Sequence, residues 1–193
     1  MNAPSHKRQT QRSSLAANQS THRLPGWLIA DLRSDHAGET GAVMIYRGIL
    51  AVTRNAEVAS FADHHLHTES QHLVIIEQML ERQHWTLLLP LWRVMGWLTG
   101  ALPALFGANA VYGTIVAVER FVDIHYQEQI DRLSPQGRFA DIRRQLVACQ
   151  QDERDHRDEA RKLMTKRPGL ALILWQQIVG LGSQLAVCLA RRI

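Results

Sequence analysis

Four long stretches of the chain place apolar side chains at helical spacing. Within each stretch the apolar residues recur in steps of three and four, which puts them on one face of an α-helix. No run of alternating β-branched residues bounded by turns competes with this pattern. The pattern predicts an all-α chain whose main helices lie at about residues 27–53, 57–84, 109–133 and 139–166.

Proline and glycine mark the limits of these stretches. Proline lacks the N–H that continues a helix, and glycine adopts the backbone conformations that end one. Such breakers occur at Pro25-Gly26, Ser134–Gly137 and Pro168-Gly169. We therefore expect a tight turn between the third and fourth helices, and a fourth helix that ends near Lys166.

Two further stretches, residues 85–118 and 169–190, are long and apolar. The first carries Arg93 as its only charge and is broken by prolines and glycines, so we expect a long crossover between helix hairpins and not one straight span. The second sets small or polar residues on one face, namely Gln176, Gln177, Gly180, Ser183 and Gln184. This amphipathic pattern favours membrane-surface helices at about 85–108 and 169–190 over core helices that cover the bundle.

Each main helix carries one glutamate on a stripe that should be buried: Glu39, Glu69, Glu119 and Glu153. An ionised carboxylate that faces a core is very costly unless it is paired or bound to metal. Glu39 and Glu69 are 30 residues apart with a midpoint at residues 54–55, and Glu119 and Glu153 are 34 apart with a midpoint at Gln136. Two antiparallel hairpins that turn at these midpoints would bring each pair to one level.

Histidines complete the pattern, because His72 and His156 follow Glu69 and Glu153 by three residues and share their helix faces. The chain thus contains one unit twice: a glutamate, a hairpin, and Glu-x-x-His. This is the ligand set of ferritin-like di-metal carboxylate proteins, with one glutamate from each of two helices and Glu-x-x-His from the other two. Four carboxylates balance two divalent cations, and oxygen with imidazole ligands suits iron or manganese. The sequence predicts a ferritin-like four-helix bundle with a di-metal site at Glu39, Glu69, His72, Glu119, Glu153 and His156.

Other polar residues near these positions have supporting or structural interpretations. We expect His64, His65 and His67 to lie at the surface or behind the ligands, since the three cannot all face the site. Asp152 is the best candidate to accept a hydrogen bond from a ligating histidine. Cys149 and Cys188 lack metal or disulfide spacing and are expected to be reduced core thiols.

Charge is distributed unevenly along the chain. The formal net charge is +4, and no acidic residue precedes Asp31 although basic residues do. Residues 1–24 are expected to be a disordered basic tail, with attraction to anionic lipid or an organellar transit peptide as alternatives. Residues 25–193 are expected to form one domain, because 46% of the chain is hydrophobic and a core can be buried.

Several motifs resemble those of the demethoxyubiquinone hydroxylases of ubiquinone biosynthesis. They are Asp35–Glu39 with Ile45-Tyr46, Leu89–Trp92, Ala117–Glu119 with His125-Tyr126, and Asp152-Glu153 with His156. The resemblance extends from about Leu32 to the end of the chain, between the candidate ligands as well as at them. The chain departs from the usual pattern in its His64–His67 cluster and in Arg120, neither of which removes a ligand.

The resemblance implies a di-iron enzyme that uses O₂ to hydroxylate the benzoquinone ring of a polyprenyl demethoxyubiquinol. It implies two iron ions per chain at the six ligands, an external reductant such as NADH, and a role for His125 and Tyr126 near the substrate or in electron delivery. The expected partners are the polyprenyl quinol, O₂, a membrane surface, a second copy or other ubiquinone-biosynthesis proteins, and no nucleic acid. The expected location is the cytoplasmic side of a bacterial cell membrane, or the mitochondrial inner membrane in a eukaryote.

Two glycines beside Glu39 have competing explanations. Glycine costs a helix about 1 kcal/mol relative to alanine, so Gly38 and Gly41 either make room for a planar ring near the metals or permit close helix packing.

Two other functions are compatible with a di-metal bundle. One is a tRNA-modifying di-iron hydroxylase, which would use the basic residues but leave the apolar crossover without a role. The other is a non-enzymatic iron-binding or storage protein, for which the outer faces of this chain are too apolar.

Overall fold

The computed structural model describes residues 24–193, so the predicted basic tail lies outside the described residues except for Leu24. The described part is all-α, as predicted, and contains no strand. Its helices are α1 (Gly26–Val52), α2 (Ala56–Met79), α3 (Leu89–Ala104), α4 (Ala108–Arg132), α5 (Ala140–Leu163) and α6 (Leu170–Ala190), with a short 3₁₀ turn at Arg82–His84.

Helices α1, α2, α4 and α5, the bundle helices, form two antiparallel hairpins that turn where the glutamate spacing predicts. Between α1 and α2, Asn55 caps the second helix, because its Oδ1 accepts hydrogen bonds from the backbone N–H of Glu57 at 2.9 Å and of Val58 at 3.0 Å. Between α4 and α5 the turn falls at residues 133–139, around the predicted midpoint. Both predicted hairpins are confirmed.

The second helix is shorter than predicted, since it ends at Met79 and not near His84. Leu80 leaves the helical conformation and is buried at the end of the bundle. Trp85 then folds back, with its ring 4.1 Å from that of His36. Burial of Leu80, with partial burial of Trp85, outweighs the helical propensity of the last five predicted residues.

The crossover between the hairpins contains α3, which runs parallel to α1 and packs closely against it. A Cβ atom on Gly96 would lie 2.5 Å from the Gly41 carbonyl oxygen, and one on Gly100 would lie 1.9 Å from that of Ile45. Only glycine permits this backbone approach. Gly96 and Gly100 therefore serve close packing, whereas a Cβ on Gly38 or on Gly41 would have no neighbouring atom within 4 Å.

Helix α6 packs along α4 and is tied to the bundle by polar contacts. Trp175 Nε1 donates to Thr114 Oγ1 at 2.8 Å, and Gln176 Nε2 donates to the Gly113 carbonyl at 2.7 Å. At its end, Arg191 lies 3.1 Å from the buried carboxylate of Asp31. Together α3 and α6, the covering helices, lie over the seam between α1 and α4.

The covering helices expose apolar side chains. The exposed residues include Leu91, Val94, Met95 and Trp97 on α3, and Leu170, Leu174, Ile178, Leu181 and Leu185 on α6. By length and composition, α6 is the one described helix apolar enough to cross a membrane, and 6% of its most apolar window is buried. The expectation of two core thiols is wrong for Cys188, which is exposed on α6, and correct for Cys149.

The bundle contains two separate apolar clusters. One includes Tyr46, Phe61 and Ile115, and the other includes Leu28, Ile76 and Ile130. The predicted glutamates lie between these clusters, so a polar layer crosses the middle of the bundle. Residues on each side of that layer supply the apolar burial that stabilises the fold.

Candidate metal centre

The six predicted ligands come together from four different helices. Their side-chain atoms form two groups, and within each group the candidate ligand atoms lie within 4.8 Å of one another. The first group is Glu39, Glu69, His72 and Glu153, and the second is Glu69, Glu119, Glu153 and His156. Glu69 and Glu153 belong to both groups.

Both histidines direct Nδ1 toward the carboxylates. His72 Nδ1 lies 3.0 Å from Glu153 Oε1, and His156 Nδ1 lies 3.0 Å from Glu69 Oε1. The other ring nitrogen of His72, Nε2, lies 3.0 Å from Asp152 Oδ2. Asp152 thus occupies the supporting position expected from the sequence, where a carboxylate fixes the orientation of a ligating imidazole.

Several atoms at the centre of the cluster are buried without a hydrogen-bond partner among the described residues. They are Glu39 Oε2, both carboxylate oxygens of Glu69, Glu153 Oε2 and His156 Nδ1. A buried polar atom without a partner costs about 1–3 kcal/mol, and a charged one costs more. Cations between these atoms would remove the cost, so the donor set fits a metal centre better than a hydrogen-bonded core.

The pKa values of the clustered carboxylates also favour a metal centre. Burial and the nearby carboxylates raise the pKa of both Glu39 and Glu119 well above the ordinary value. Burial also acts to raise the pKa of Glu69, but the neighbouring imidazoles of His156 and His72 outweigh it and lower that pKa to about 2. Bound cations would favour the ionised form of all these carboxylates, because positive charge nearby lowers a carboxyl pKa.

Two buried tyrosines hold the outer carboxylates. Tyr46 Oη donates to Glu119 Oε1 at 3.4 Å, and Tyr126 Oη donates a short hydrogen bond to Glu39 Oε1. Each tyrosine therefore binds a glutamate that belongs to only one of the two groups. Tyr126 was singled out from the sequence, whereas the part of Tyr46 in the site was missed.

The histidine cluster of α2 divides as expected. His64 and His67 are exposed, while His65 is buried with its ring 4.1 Å from that of His156. Burial, with smaller contributions from His156 and His64, lowers the pKa of His65 to about 3. The neutral ring contacts Glu159 at 3.1 Å through Nε2. His65 therefore packs against the ring of His156, a candidate ligand.

His125 lies on the wall of the cavity beside the cluster, where the sequence resemblance would place it. Its Nε2 lies 3.0 Å from Asp35 Oδ1, and Gln129 Nε2 donates to the same oxygen at 2.6 Å. From the sequence, Asp35 is part of a family motif without an assigned role, and Gln129 was missed. The missed signal was the spacing, because Gln129 follows His125 by four residues and shares its helix face.

A cavity of about 380 Å³ adjoins the candidate ligands. It is lined by the glutamates and by mostly apolar residues of α1, α3, α4 and α6, with Gly38 on its wall. It extends as far as Met95, Leu102 and Ile178, which are exposed on the covering helices. The cavity therefore connects the carboxylates with the apolar surface of α3 and α6.

Three similar proteins are all named as 3-hydroxylases of demethoxyubiquinol or demethoxyubiquinone. The chain is 39% identical over 131 residues to the 3-demethoxyubiquinol 3-hydroxylase of Rhodospirillum rubrum, a match that covers 66% of this chain and 60% of that protein. It is 33% identical over 128 residues to the NADPH-dependent 3-demethoxyubiquinone 3-hydroxylase, mitochondrial, of Dictyostelium discoideum, covering 65% and 59%. The match to the human protein of that name is 29% over 167 residues, covering 84% and 76%.

The chain thus spans about 60% of the length of the first two relatives and about three quarters of the human one. The family described as ubiquinone biosynthesis protein COQ7 matches residues 27–190, which is most of the described structure and all six candidate ligands. The family resemblance noted in the sequence is confirmed, and the chain belongs to the family of ubiquinone biosynthesis protein COQ7.

Proposed function

We propose that this chain is an O₂-dependent di-iron monooxygenase that hydroxylates the ring of a polyprenyl demethoxyubiquinol in ubiquinone biosynthesis. The observation that carries the proposal is that an apolar cavity of about 380 Å³ adjoins the two ligand groups, which share Glu69 and Glu153. The names of the relatives support the same reaction. One oxygen atom of O₂ enters the ring as a hydroxyl and the other leaves as water, with two electrons from an external reductant and two protons.

Iron is the proposed metal, with two ions per chain. Glu39, Glu69, His72 and Glu153 would hold one ion, and Glu69, Glu119, Glu153 and His156 would hold the other. When bound, the iron ions supply the activation of O₂, which protein side chains cannot perform. Tyr46 and Tyr126 keep the two outer carboxylates in place through their hydroxyl groups.

The cavity walls would bind the ring and exclude bulk water from it. Gly38 leaves open space next to Glu39, where a planar ring can approach the carboxylates. The prenyl chain would leave between Met95 and Ile178 toward the apolar surface of the covering helices. The face of α6 suits a lipid surface for the same reason, since apolar side chains gain free energy when they leave water.

The cellular location and the external reductant are further parts of the proposal. The protein would bind peripherally to the cytoplasmic side of a bacterial cell membrane, with the covering helices against the lipid. Some eukaryotic relatives are named NADPH-dependent and mitochondrial. Both NADH and NADPH are therefore candidates for the external reductant.

The two alternative functions lack a supporting observation. A storage protein would need polar outer faces, whereas α6 and α3 expose leucine, isoleucine and tryptophan. A tRNA-modifying enzyme would leave the apolar cavity and the exposed apolar helices without a role. The relatives' hydroxylase names do not favour either alternative.

The test of the proposed reaction follows labelled oxygen. The iron-loaded chain is supplied with a short-chain demethoxyquinol, a reductant and ¹⁸O₂, and the product is examined by mass spectrometry. We expect ¹⁸O in the new hydroxyl. Gly38→Leu should block turnover by filling the cavity while iron remains bound, and Gly180→Leu is the matched control because Gly180 also has free space but does not line the cavity. Product oxygen that derives from water would overturn the proposal.

A further inference from the structure

The two ring nitrogens of His125 have different surroundings. Nε2 points into the protein, where Ser34 Oγ lies at 3.1 Å, Asp35 Oδ1 at 3.0 Å and Gln129 Nε2 at 3.0 Å. Nδ1 makes no hydrogen bond with the described residues, although the residue as a whole is buried. Since His125 lines the cavity, its Nδ1 is the ring nitrogen that remains available there.

The contacts at Nε2 determine where the proton of a neutral His125 lies. If Nε2 were unprotonated, its lone pair would face the Asp35 carboxylate at 3.0 Å, which is repulsive. With the proton on Nε2, the ring donates to Asp35. The two neighbouring donors do not need Nε2 as an acceptor, because the Ser34 hydroxyl donates to the Asp31 carbonyl at 2.6 Å and the Gln129 amide donates to Asp35 Oδ1 at 2.6 Å. The proton on Nε2 leaves Nδ1 as a hydrogen-bond acceptor, since a neutral imidazole has one donor and one acceptor nitrogen.

Gln129 fixes the position of the carboxylate in turn. Its amide N–H donates to Asp35 Oδ1 at 2.6 Å, the oxygen that faces His125. Asp35 and Gln129 are both buried, so bulk water does not replace either contact. Orientation of a catalytic-site imidazole by a buried carboxylate has a well-studied parallel in serine proteases, where exchange of the aspartate for asparagine produces the wrong tautomer.

We infer that Asp35 and Gln129 are positioning residues, which hold His125 with an acceptor Nδ1 toward the cavity so that the site selects the reduced quinol over the oxidised quinone. This inference rests on the proposed function, because it assumes that the cavity binds the ring. A quinol carries hydroxyl groups that donate hydrogen bonds, whereas a quinone carries carbonyl oxygens that only accept them. An acceptor on the wall therefore stabilises the first and not the second.

The experiment compares the affinity of the full-length, iron-loaded chain for the two forms of one short-chain demethoxyquinone under anaerobic conditions. Trp92 and Trp175 line the cavity, so quenching of their fluorescence reports binding. Asp35→Asn should weaken quinol binding by about fivefold, the effect of one ordinary hydrogen bond. Quinone binding should stay unchanged or tighten, because a proton moved to Nδ1 can be donated to a carbonyl.

A second variant keeps the test informative if Asp35→Asn misfolds. Gln129→Met removes the amide that fixes Asp35. Like Asp35→Asn, it should lower the ratio of the quinone to the quinol dissociation constant, but by a smaller factor. Asp123→Asn is the matched control, because it changes an aspartate that pairs with Arg154 and Arg157 at 2.7 and 2.8 Å and does not line the cavity. It should leave the ratio unchanged.

The outcomes separate the inference from the proposed function. If the wild-type chain forms labelled product but neither Asp35→Asn nor Gln129→Met changes the ratio, the positioning role is wrong. Equal loss of affinity for both forms would also overturn it, because a purely structural defect affects them alike. If the wild-type chain makes no product with iron loaded and reductant present, the proposed function fails instead.

Discussion

The bundle helices and the covering helices distribute polar and apolar side chains in opposite ways. The bundle buries four glutamates and several histidines at its centre. The covering helices expose leucine, isoleucine and tryptophan on their outer faces. Each arrangement is unfavourable in water without a partner, since buried charge needs countercharge and exposed apolar surface needs a non-aqueous neighbour.

This difference implies that the two regions need partners of different chemistry. Unpartnered carboxylate oxygens in the middle of the bundle fit cations. An apolar helix of which only 6% of the most apolar window is buried fits a lipid surface better than a core. The cavity joins the two regions, so the proposed substrate, a polar ring on an apolar chain, matches both of its ends.

The largest expected effect lies at the centre of the bundle. Glu153→Ala removes a carboxylate shared by both ligand groups, so it should abolish binding of both iron ions and all turnover. Asp152→Asn changes only the support of His72 and should weaken metal binding by about 10–100-fold. Iron per chain is measured by elemental analysis, with Glu128→Ala on the exposed face of α4 as the control. Two bound irons in Glu153→Ala would contradict the ligand assignment.

The second effect concerns the outer face of α6. Leu181 and Leu185 are 67% and 61% exposed and lie one turn apart. Replacing both by lysine should reduce binding to lipid vesicles by about 100-fold or more, because each buried leucine contributes about 1.5–3 kcal/mol. Turnover of a water-soluble short-chain substrate should persist. Vesicle sedimentation measures the binding.

A matched control for the vesicle test lies on the bundle. Val74 and Val147 are also exposed, at 50% and 39%, but they belong to α2 and α5. Changing both to lysine should leave vesicle binding unchanged. Equal loss in the two double variants would mean that charge, and not the α6 face, controls association.

The third effect tests how the covering helix α3 is joined to the bundle. Gly100→Ala places a methyl group 1.9 Å from the Ile45 carbonyl oxygen, so it should lower the free energy of unfolding by about 1–3 kcal/mol. Gly180→Ala has no neighbour within 4 Å and should raise it by about 0.5–1 kcal/mol, since alanine favours a helix. Denaturant unfolding measures both. A neutral Gly100→Ala would show that α3 can move away from α1 without cost.

The smallest effect compares the two cysteines. Burial raises the pKa of Cys149 to about 12, so its thiol should resist alkylation at pH 8, while the exposed Cys188 should react. Lipid vesicles should slow the alkylation of Cys188, because it lies on the face of α6 that is proposed to meet lipid. Mass spectrometry of timed samples measures the rates. Unchanged labelling of Cys188 with vesicles present would contradict that orientation.

The sequence by itself determined the features that depend on local pattern. Helical spacing predicted the four bundle helices, and the spacing of Glu39, Glu69, Glu119 and Glu153 predicted two hairpins whose turns the structure confirms. It also identified six residues that the fold brings together in two groups. These predictions succeed because helix periodicity and loop length limit where a side chain can lie.

Other features were decided only by the tertiary structure. The end of α2 at Met79 depends on burial of Leu80 and on Trp85 contacting His36, which are distant in sequence from the helix itself. Gly41 packs against Gly96 because α3 runs along α1, a pairing that no local pattern specifies. The contacts that Asp35 and Gln129 make with His125 cross between helices, and helix periodicity sets which face a residue occupies but not which residue opposes it.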